Sequence, residues 1–518
     1  MSGPLLMGID FGTESCRVGL FDLTGRPAAT AACSYRTVHP RPGWAEQHPF
    51  DWWQALGRAS RQALAQAGAG PDQVVAVSAD ATTLTLVAAD REGNPLRPAI
   101  MWMDVRATEQ AERAWSSDSG ARRYNADGLG PASAEWYPFK AAWLKEHEPE
   151  TYRAAHMLVD ATDWVTHRLT GLWTVNVNSA AHRMYHNRQL GGWPTDFYDH
   201  IGVGDVFAKV PQRLTALGDL VGPLSPAAAA HLGLKAGLPV GQGPCDASAG
   251  QIGLGAVEPG QSVLITGSSH AIFAQSDRAL SGAGFWGGYC DGVAPGQHTV
   301  EGGQVSTGSV MKWFKDQFAR DLQAPAEGSG QSVYDLLNAE AAQVPIGSHG
   351  LIVNEYFQGN RTPYTDAKAR GMVWGLSLAH SRADVYHAIQ EGVCYGTAHN
   401  LRAMAEAGLR PHRLMVSGGM TRSRDLIQLH ADVTGLPIGL TEVQDGPLLG
   451  SAICAAVGAG LHTDLKSAVA AMVRQVDSLT PDPERHRAYQ FYVDQYCAGY
   501  PALRPQIHRL VDHQAARP

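Results

Sequence analysis

The stretch Leu5-Leu6-Met7-Gly8-Ile9-Asp10-Phe11-Gly12-Thr13-Glu14-Ser15 opens the chain with an apolar run that ends in small polar residues. Residues 5–10 predict a β-strand, residues 11–15 a turn, and residues 17–22 the returning strand of a hairpin. Residues 262–274 repeat the same strand-turn-strand pattern in the second half of the chain. The repetition predicts a duplicated α/β unit with a boundary near residues 250–260.

The size of the chain predicts more than one domain. Its 518 residues, 44% of them hydrophobic, can form two well-packed cores and exceed what one ordinary core holds. Helical patterns follow each predicted sheet, over residues 49–66, 383–405 and 422–434. We therefore expect two α/β domains with a cleft between them.

Charge and cysteine content narrow the class of protein. The net charge is -8 without a run of Lys or Arg, which argues against a nucleic-acid partner. The seven cysteines form no CxxC pair, and an odd number argues against a complete disulfide framework. The apolar stretch 448–461 is too short to span a bilayer. These features predict a cytoplasmic protein that acts on small molecules and has no membrane segment.

The run Gly243-Pro244-Cys245-Asp246-Ala247-Ser248-Ala249-Gly250 places a carboxylate between an apolar strand pattern and a helix of small residues. The glycines let the backbone approach a ligand, and the start of a helix favours phosphate. Asp246 is therefore a candidate base. An exposed helix-capping aspartate would give the same pattern and remains the alternative.

Two turns could bind the phosphates of a nucleotide. In the first turn, Gly12 permits a tight conformation, and Thr13 and Ser15 offer amides and hydroxyls to phosphate oxygens. Asp10, at the end of the first strand, could hold a hydrated magnesium ion. The second turn, Thr266-Gly267-Ser268-Ser269, offers the same donors. Neither turn is a GxxxxGK[ST] loop or a Rossmann fingerprint, and an ordinary hairpin remains the alternative for each.

A third element, Met415-Val416-Ser417-Gly418-Gly419-Met420, is an apolar strand that ends in paired glycines and leads into a helix. Paired glycines let a flat base lie against the backbone, and the amino terminus of the helix adds donors. A tight strand-to-helix turn is the simpler alternative. The order of the three elements favours a nucleotide site.

Two further motifs connect these elements to a known family. Gly371-x-Val373-x-Gly375-Leu376 is followed by Asp384-Val385-x-x-Ala388-Ile389-x-Glu391, with Gln390 at a position that is usually apolar. Tyr137-Pro138-Phe139-Lys140-Ala141-Ala142-Trp143-Leu144 has Ala141 where a larger residue is usual. With these motifs the chain resembles the FGGY family of carbohydrate kinases.

The resemblance implies an α/β fold of two actin-like (ribonuclease H-like) ATPase domains with an interdomain cleft. Residues 1–253 would be the sugar-binding and catalytic domain, and residues 254–518 the nucleotide-binding domain. Asp246 would be the general base, and Asp10 would lie beside Mg²⁺. The expected ATP-binding residues are Thr13, Thr266, Gly267, Gly308, Gly418, Gly419, Met420 and Ser423. Ser423 stands where some relatives have an asparagine that contacts adenine.

The sugar site is expected in the first half of the chain. Carboxylates and guanidinium groups would pair with sugar hydroxyls, and aromatic rings would pack on C–H faces. Core aromatics and a solvated ion pair are the alternatives for these side chains. The expected substrate-binding residues are Asp80, Ala81, Thr82, Trp102, Asp104, Arg106, Glu135, Arg183 and Asp246.

The resemblance implies ATP-dependent phosphorylation of a pentulose. Asp80-Ala81-Thr82 replaces the Gln-Arg-Glu-Thr run of glycerol kinases and the Gln-Met-His-Gly run of xylulokinases, and it resembles ribulokinases. Ribulose is therefore the expected substrate, with xylulose or a polyol (ribitol, erythritol or glycerol) as alternatives. A non-catalytic sensor of ATP or sugar and an actin-like structural ATPase are remote alternatives. The expected partners are a sugar and ATP, and the resemblance also allows a homodimer.

Overall fold

Each half of the chain contributes a large mixed sheet. The computed structural model describes residues 3–115, 133–282 and 284–515. The first half contains β1 (Leu5–Phe11), β2 (Ser15–Asp22), β3 (Pro27–Ser34), β4 (Glu46–Gln47), α1 (Pro49–Ala67), β5 (Val74–Ala81), β6 (Leu86–Ala89), β7 (Ala99–Ile100), α2 (Thr108–Trp115), α3 (Tyr137–His147), α4 (Pro149–Ala154), β8 (Met157–Asp160), α5 (Ala161–Thr170), β9 (Val175–Asn176), α6 (Val177–Arg183), α7 (Thr195–His200), β10 (Leu214–Thr215), β11 (Leu220–Pro223), α8 (Pro226–Leu232), β12 (Pro239–Gly241) and α9 (Asp246–Gly253).

The second half begins directly with the repeated hairpin. It contains β13 (Gln261–Thr266), β14 (His270–Ser276), β15 (Trp286–Cys290), β16 (His298–Gln304), α10 (Gly308–Phe318), α11 (Gln323–Ser329), α12 (Val333–Ala341), β17 (Ile352–Asn354), β18 (Met372–Trp374), α13 (Arg382–Glu406), β19 (Arg413–Gly418), α14 (Arg424–Thr434), β20 (Ile438–Thr441), α15 (Gly446–Gly458), α16 (Leu465–Met472), β21 (Gln475–Leu479) and α17 (Pro483–Ala515).

The two sheets have equivalent topologies. The first has the order β3-β2-β1-β5-β12-β11, and the second has the order β16-β14-β13-β19-β20-β21 with β15 added at its edge. In each sheet three antiparallel strands adjoin two parallel strands, and a last antiparallel strand closes the far edge. The predicted duplication of an α/β unit is therefore confirmed.

The helix predicted at residues 49–66 illustrates how local sequence sets the element bounds. Pro49 occupies the first turn, where a missing N–H costs no hydrogen bond, and the His48 side chain accepts from the amide of Phe50. Gly68 ends the helix in the left-handed conformation with φ 61°. The helices predicted at 383–405 and 422–434 are also present, although α14 begins at Arg424 because a 3-10 turn precedes it.

Two equivalent helices join the halves. Helices α9 and α15 each follow the second parallel strand of their own sheet, and they cross at glycines. A Cβ on Gly253 would lie 2.0 Å from the carbonyl oxygen of Gly446, so the two backbones are in direct contact. Helix α15 also lies against the first sheet, where a Cβ on Gly8 would lie 2.1 Å from the Leu448 oxygen. The second half therefore covers one face of the first sheet.

Helix α15 contains most of the apolar stretch 448–461 and is a helix of the core. Leu448, Leu449 and Ile453 are buried in a cluster with Leu6 and Phe21 of the first sheet. Burying a side chain of this size contributes roughly 1.5–3 kcal/mol, so this contact holds the halves together. In the described part of the chain, no helix combines the length and apolar character needed to cross a membrane.

Candidate active site

Asp246 begins helix α9 and lies at the carboxyl end of the first sheet. The cap of this helix is Cys245, so Asp246 is not the capping residue of the simpler interpretation. The amide of Ala247 donates to Asp246 Oδ1 at 2.8 Å, and the amide of Thr83 also bonds this carboxylate. Burial, and next the charge of Asp10, raise the pKa of Asp246 to about 7. A half-buried carboxylate with this pKa suits a base that works near neutral pH.

Asp10 lies beside Asp246 at the end of β1. Its carboxylate forms an ion pair with Arg17, the residue directly opposite on β2. Arg17 also donates to Asp445 Oδ2 at 2.8 Å, just before α15 in the second half. Arg17 therefore bridges the two halves at the phosphate side of the site, and its side chain is 37% exposed and can meet a ligand.

The surroundings of Asp10 suit a hydrated magnesium ion. Both carboxylate oxygens are buried, and their charged neighbours are the Arg17 guanidinium and the carboxyl groups of Asp80 and Asp445. Within the residues that the structure describes, no group of three or more His, Cys, Asp or Glu side chains could enclose a metal by itself. Mg²⁺ is commonly held by one or two carboxylates, together with waters and substrate phosphates. Asp10 fits a Mg²⁺ ion of that kind.

Asp80 lies in the buried interior next to Asp10. It is fully buried opposite Asp10 on the neighbouring strand, and its Oδ2 accepts from the Ser451 hydroxyl of α15 at 2.6 Å. Burial and the charge of Asp10 raise the pKa of Asp80 well above its usual range, so Asp80 carries the proton of this carboxyl pair. Contact between Asp80 and a sugar stays a prediction.

The next two predicted sugar-binding residues shape the loop that holds the base. Ala81 forms a parallel β-bridge with Cys245, the neighbour of Asp246. The amide of Thr82 donates to the Phe11 oxygen at 3.0 Å. Through these backbone contacts the 81–83 segment joins the first phosphate turn to the base.

Arg183 lies at the end of α6 in an aromatic enclosure. Its guanidinium donates to Glu301 Oε2 and to the Tyr289 hydroxyl, each at 2.6 Å. The rings of Trp136 and Trp286 lie 5.6 and 5.7 Å from its central carbon. Glu301, Tyr289 and Trp286 all belong to the second half, so both halves build this pocket. Charged groups beside aromatic walls are suited to a sugar.

Helix α6 ties this pocket to the base. Asn178 Oδ1 accepts from the Cys245 amide at 3.0 Å, and Asn178 Nδ2 donates to the Ser248 hydroxyl at 2.9 Å. Arg183 follows Asn178 by five residues, or about 7.5 Å along the helix axis. Helix α6 therefore connects Arg183 with the loop that carries Asp246.

Three residues predicted from the Trp102–Arg106 segment have internal partners. Trp102 Nε1 donates to the Thr13 hydroxyl at 3.0 Å. This bond links the 102–106 segment directly to the first phosphate turn. Asp104 and Arg106 form a buried ion pair, and Arg106 also pairs with Glu46 at 2.8 Å. Both side chains are fully buried, and their contact with a sugar stays a prediction.

Lys140 connects the loops that follow β5 and β7 through buried hydrogen bonds. Its Nζ donates to the carbonyl oxygens of Leu84 and Met101 at 2.7 and 2.6 Å, and burial lowers the pKa of Lys140 to about 7. Glu135, a predicted sugar ligand, is half-buried and accepts from the Ser133 hydroxyl at 3.2 Å. Lys140 is therefore a positioning residue for the loops of the predicted sugar site.

The predicted nucleotide residues of the second half converge on one cavity of about 530 Å³. Its lining includes Thr266, Gly267, Gly308, Gly419, Met420 and Ser423. Gly418 lies directly behind it with φ 91°, and a Cβ there would lie 1.9 Å from the Thr266 oxygen, so only glycine fits. The Thr266 hydroxyl donates to the Ser417 oxygen at 2.6 Å and accepts from the Met420 amide at 3.2 Å. Thr266 therefore joins the two turns that form the cavity wall.

Strand β16 connects this cavity with the cluster around Arg183 and Glu301. Gln304 pairs with His270, which lines the cavity, and Glu301 pairs with Phe273 on the same two strands. Three residues of a strand span about 10 Å. The cluster around Arg183 and Glu301 therefore lies next to the cavity along the same two strands.

The sequence matches the models of both domains of one family. The N-terminal domain of the FGGY family of carbohydrate kinases matches residues 5–253, and its C-terminal domain matches residues 263–459. This chain belongs to the FGGY family of carbohydrate kinases. It is a phosphotransferase with the two-domain, actin-like ATPase fold.

Several proteins resemble this FGGY kinase over nearly its whole length. A ribulokinase of Mycolicibacterium smegmatis is 31% identical, covering 93% of this chain and 91% of the relative. A xylulose kinase of Staphylococcus epidermidis is 26% identical and covers 98% of both chains. The crystal structure of xylulose kinase from Rhodospirillum rubrum gives a TM-score of 0.84 at 27% identity, covering 97% of this chain and all of the other.

Sequence reasoning missed four polar residues of this FGGY kinase: Arg17, Asn178, Glu301 and Asp445. Each contacts a group from a distant part of the chain. Glu301 had a usable signal, because it is the single charged residue of β16. The division between residues 253 and 254 and the homodimer stay predictions.

Proposed function

We propose that this FGGY kinase transfers the γ-phosphoryl group of ATP to a hydroxyl of a pentulose, and that the pentulose is ribulose. The observation that carries the proposal is Asp246, a carboxylate with a raised pKa at the carboxyl end of the first sheet. It is tied through Asn178 to the pocket that contains Arg183 and Glu301. Four relatives named ribulokinase, at 28–31% identity, support ribulose as the substrate.

Asp246 would act as the general base. Its carboxylate accepts the proton of the sugar hydroxyl while that oxygen forms a bond to the γ-phosphorus. The bond between the γ-phosphorus and the oxygen of ADP breaks, and the proton stays on Asp246 until solvent removes it. Phosphoryl transfer depends mainly on positioning and on charge neutralisation, so the base is one contributor among several.

The phosphates of ATP would lie between the two turns. The hydroxyl of Thr13 and the guanidinium of Arg17 stand on the first-half side, and the cavity with Thr266 and Gly267 stands on the other. Asp10 would hold Mg²⁺, which neutralises phosphate charge when it is bound. The ion pair between Arg17 and Asp445 connects the phosphate side of the site to the start of α15.

Xylulose is the second candidate substrate. It is favoured by the xylulose kinases of Staphylococcus epidermidis and Rhodospirillum rubrum, which cover almost all of this chain. The two sugars differ in the configuration of one hydroxyl, so the same residue types could bind either of them.

The test is a coupled assay of ADP release with Mg²⁺ and ATP. The panel is D-ribulose, L-ribulose, D-xylulose, L-xylulose, ribitol, erythritol and glycerol, ranked by kcat/KM. We expect one ribulose isomer to rank first. A preference for xylulose or a polyol would reject ribulose and leave a sugar kinase, whereas ATP turnover independent of every sugar would reject the assignment of Asp246 as a base toward sugar.

Activity is expected to fall as the pH drops below about 7. Asp246 must be deprotonated to act as a base, and its raised pKa means that it takes up a proton near neutral pH. The value of kcat/KM should therefore fall about tenfold for each further pH unit, because this ratio reports groups of the free enzyme. The Asp246→Asn variant is the control, since its residual activity should lack this decline. A flat wild-type profile between pH 5.5 and 7 would contradict the role.

A further inference from the structure

Gln390 and Asn338 form an amide pair in the wall of the nucleotide cavity. Gln390, on α13, donates through Nε2 to Asn338 Oδ1 on α12 at 2.9 Å. Both residues line the 530 Å³ cavity, and both also line a second cavity of about 340 Å³. The pair therefore borders both spaces.

One polar group on each amide remains free. The bond uses Nε2 of Gln390 and Oδ1 of Asn338, and within the described residues neither Gln390 Oε1 nor Asn338 Nδ2 has a hydrogen bond. Although Gln390 is only 7% exposed, neither of these two atoms is sealed from solvent. A ligand with complementary groups can therefore reach them from the cavity. The cavity wall thus presents an acceptor next to a donor.

The same cavity has a surface suited to a flat ring. A Cβ added to Gly419 would meet no atom within 4 Å, so the backbone there is open to the cavity. Met420 adds an apolar side chain. Ser423, in contrast, is the cap of α14 and its hydroxyl accepts from the Leu426 amide at 3.4 Å. The Ser423 hydroxyl is therefore already used by its own helix, whereas Gln390 Oε1 and Asn338 Nδ2 are not used by the fold.

We propose that the Asn338–Gln390 pair recognises the amino-bearing edge of adenine. Amide side chains are the usual bidentate partners of adenine, because they accept from its 6-amino group and donate to an adjacent ring nitrogen. Gln390 replaces the apolar residue that is usual at this position of the motif. The inference rests on the proposed use of ATP and assigns its base specificity to these two residues.

The test is a binding comparison of two nucleotides without any sugar. ADP and the diphosphate of purine riboside, which lacks the 6-amino group, are titrated into the protein by calorimetry. We expect the wild type to bind ADP about tenfold or more tightly than the analogue, as one amide contact to adenine would provide. Gln390→Leu should weaken ADP binding and leave the analogue unchanged, so that the ratio approaches one.

Two further variants separate recognition from packing. Asn338→Leu, on a half-buried helix face, removes the donor to the ring nitrogen that both nucleotides share, so it should weaken both alike and leave their ratio near the wild-type value. Gln343→Leu, the same substitution at an exposed position after α12, should leave the ratio unchanged. Equal weakening of both nucleotides by Gln390→Leu, or equal binding of both by the wild type, would overturn the proposal. Because no sugar is present, these outcomes are independent of the sugar panel.

Discussion

Replacing Asp246 with asparagine is expected to lower kcat by about a hundred-fold to ten-thousand-fold, the usual contribution of a general base. Binding of ADP should remain, because Asp246 is outside the set of residues that line the nucleotide cavity. Stopped-time assays of ADP release give kcat, and calorimetry gives ADP affinity. Asp72→Asn is the matched control, since Asp72 forms a surface ion pair with Lys235.

A turnover number close to that of the wild type would show that Asp246 is not the base. A loss of ADP binding together with turnover would instead indicate damage to the fold. The same variant also tests the raised pKa of Asp246, through its effect on the stability of the fold.

The Asp246→Asn variant should be more stable than the wild type at pH 8. The pKa of Asp246 is raised from 3.8 to about 7 in the folded protein, so its ionisation opposes folding. The penalty is absent below the unfolded pKa near 4, grows as pH rises, and is complete above about 7. It amounts to at most about 4 kcal/mol, because each pKa unit corresponds to about 1.4 kcal/mol. Melting curves at pH 8 and pH 5 should show an advantage that shrinks on acidification.

The second large effect is expected for Arg183→Met. This change removes three hydrogen bonds of a buried guanidinium and leaves Glu301 as an unpaired buried charge. Breaking a buried ion pair in this way typically costs about 3–5 kcal/mol of stability. Loss of the charged hydrogen bonds that we propose between Arg183 and the sugar should lower kcat/KM for the sugar by about a hundred-fold. The KM for ATP should change little, because the nucleotide cavity is lined by other residues.

A second substitution distinguishes recognition from folding. Arg183→Met combined with Glu301→Gln removes the unpaired charge, so the melting temperature should recover while kcat/KM for the sugar stays low. Recovery of both quantities would show that the pair serves the fold alone. Unchanged sugar kinetics in Arg183→Met would exclude a contact between Arg183 and the substrate.

The elements of the fold were predictable because their signals are local. The hairpin at residues 5–22, its repeat at 262–274 and helices α1, α13 and α14 follow from the spacing of apolar residues and from their caps. The grouping of the predicted ATP-binding residues was also predictable, since glycines at strand ends allow a close approach of the backbone, while their contact with ATP stays a prediction. Six of the predicted residues line that cavity together.

The sugar site was less predictable from sequence. Asp104 and Arg106 have the residue types of a sugar site, yet the fold pairs them with each other and with Glu46. Asp80 likewise meets Ser451 of the second half. Residue type shows which chemistry a side chain can perform, whereas its partners depend on segments that are distant in the chain.

The sequence by itself determined the α/β class, the duplicated unit, the family and the identity of the candidate base. These depend on periodic patterns and on turns of a few residues. Only the tertiary structure decided which charges face each other, because Arg183 and Glu301 are 118 residues apart, and Asp80 and Ser451 are 371 apart. Such pairs form when helix α15 and strand β16 pack against the first half. The burial that results raises the pKa of Asp246, and no local pattern encodes it.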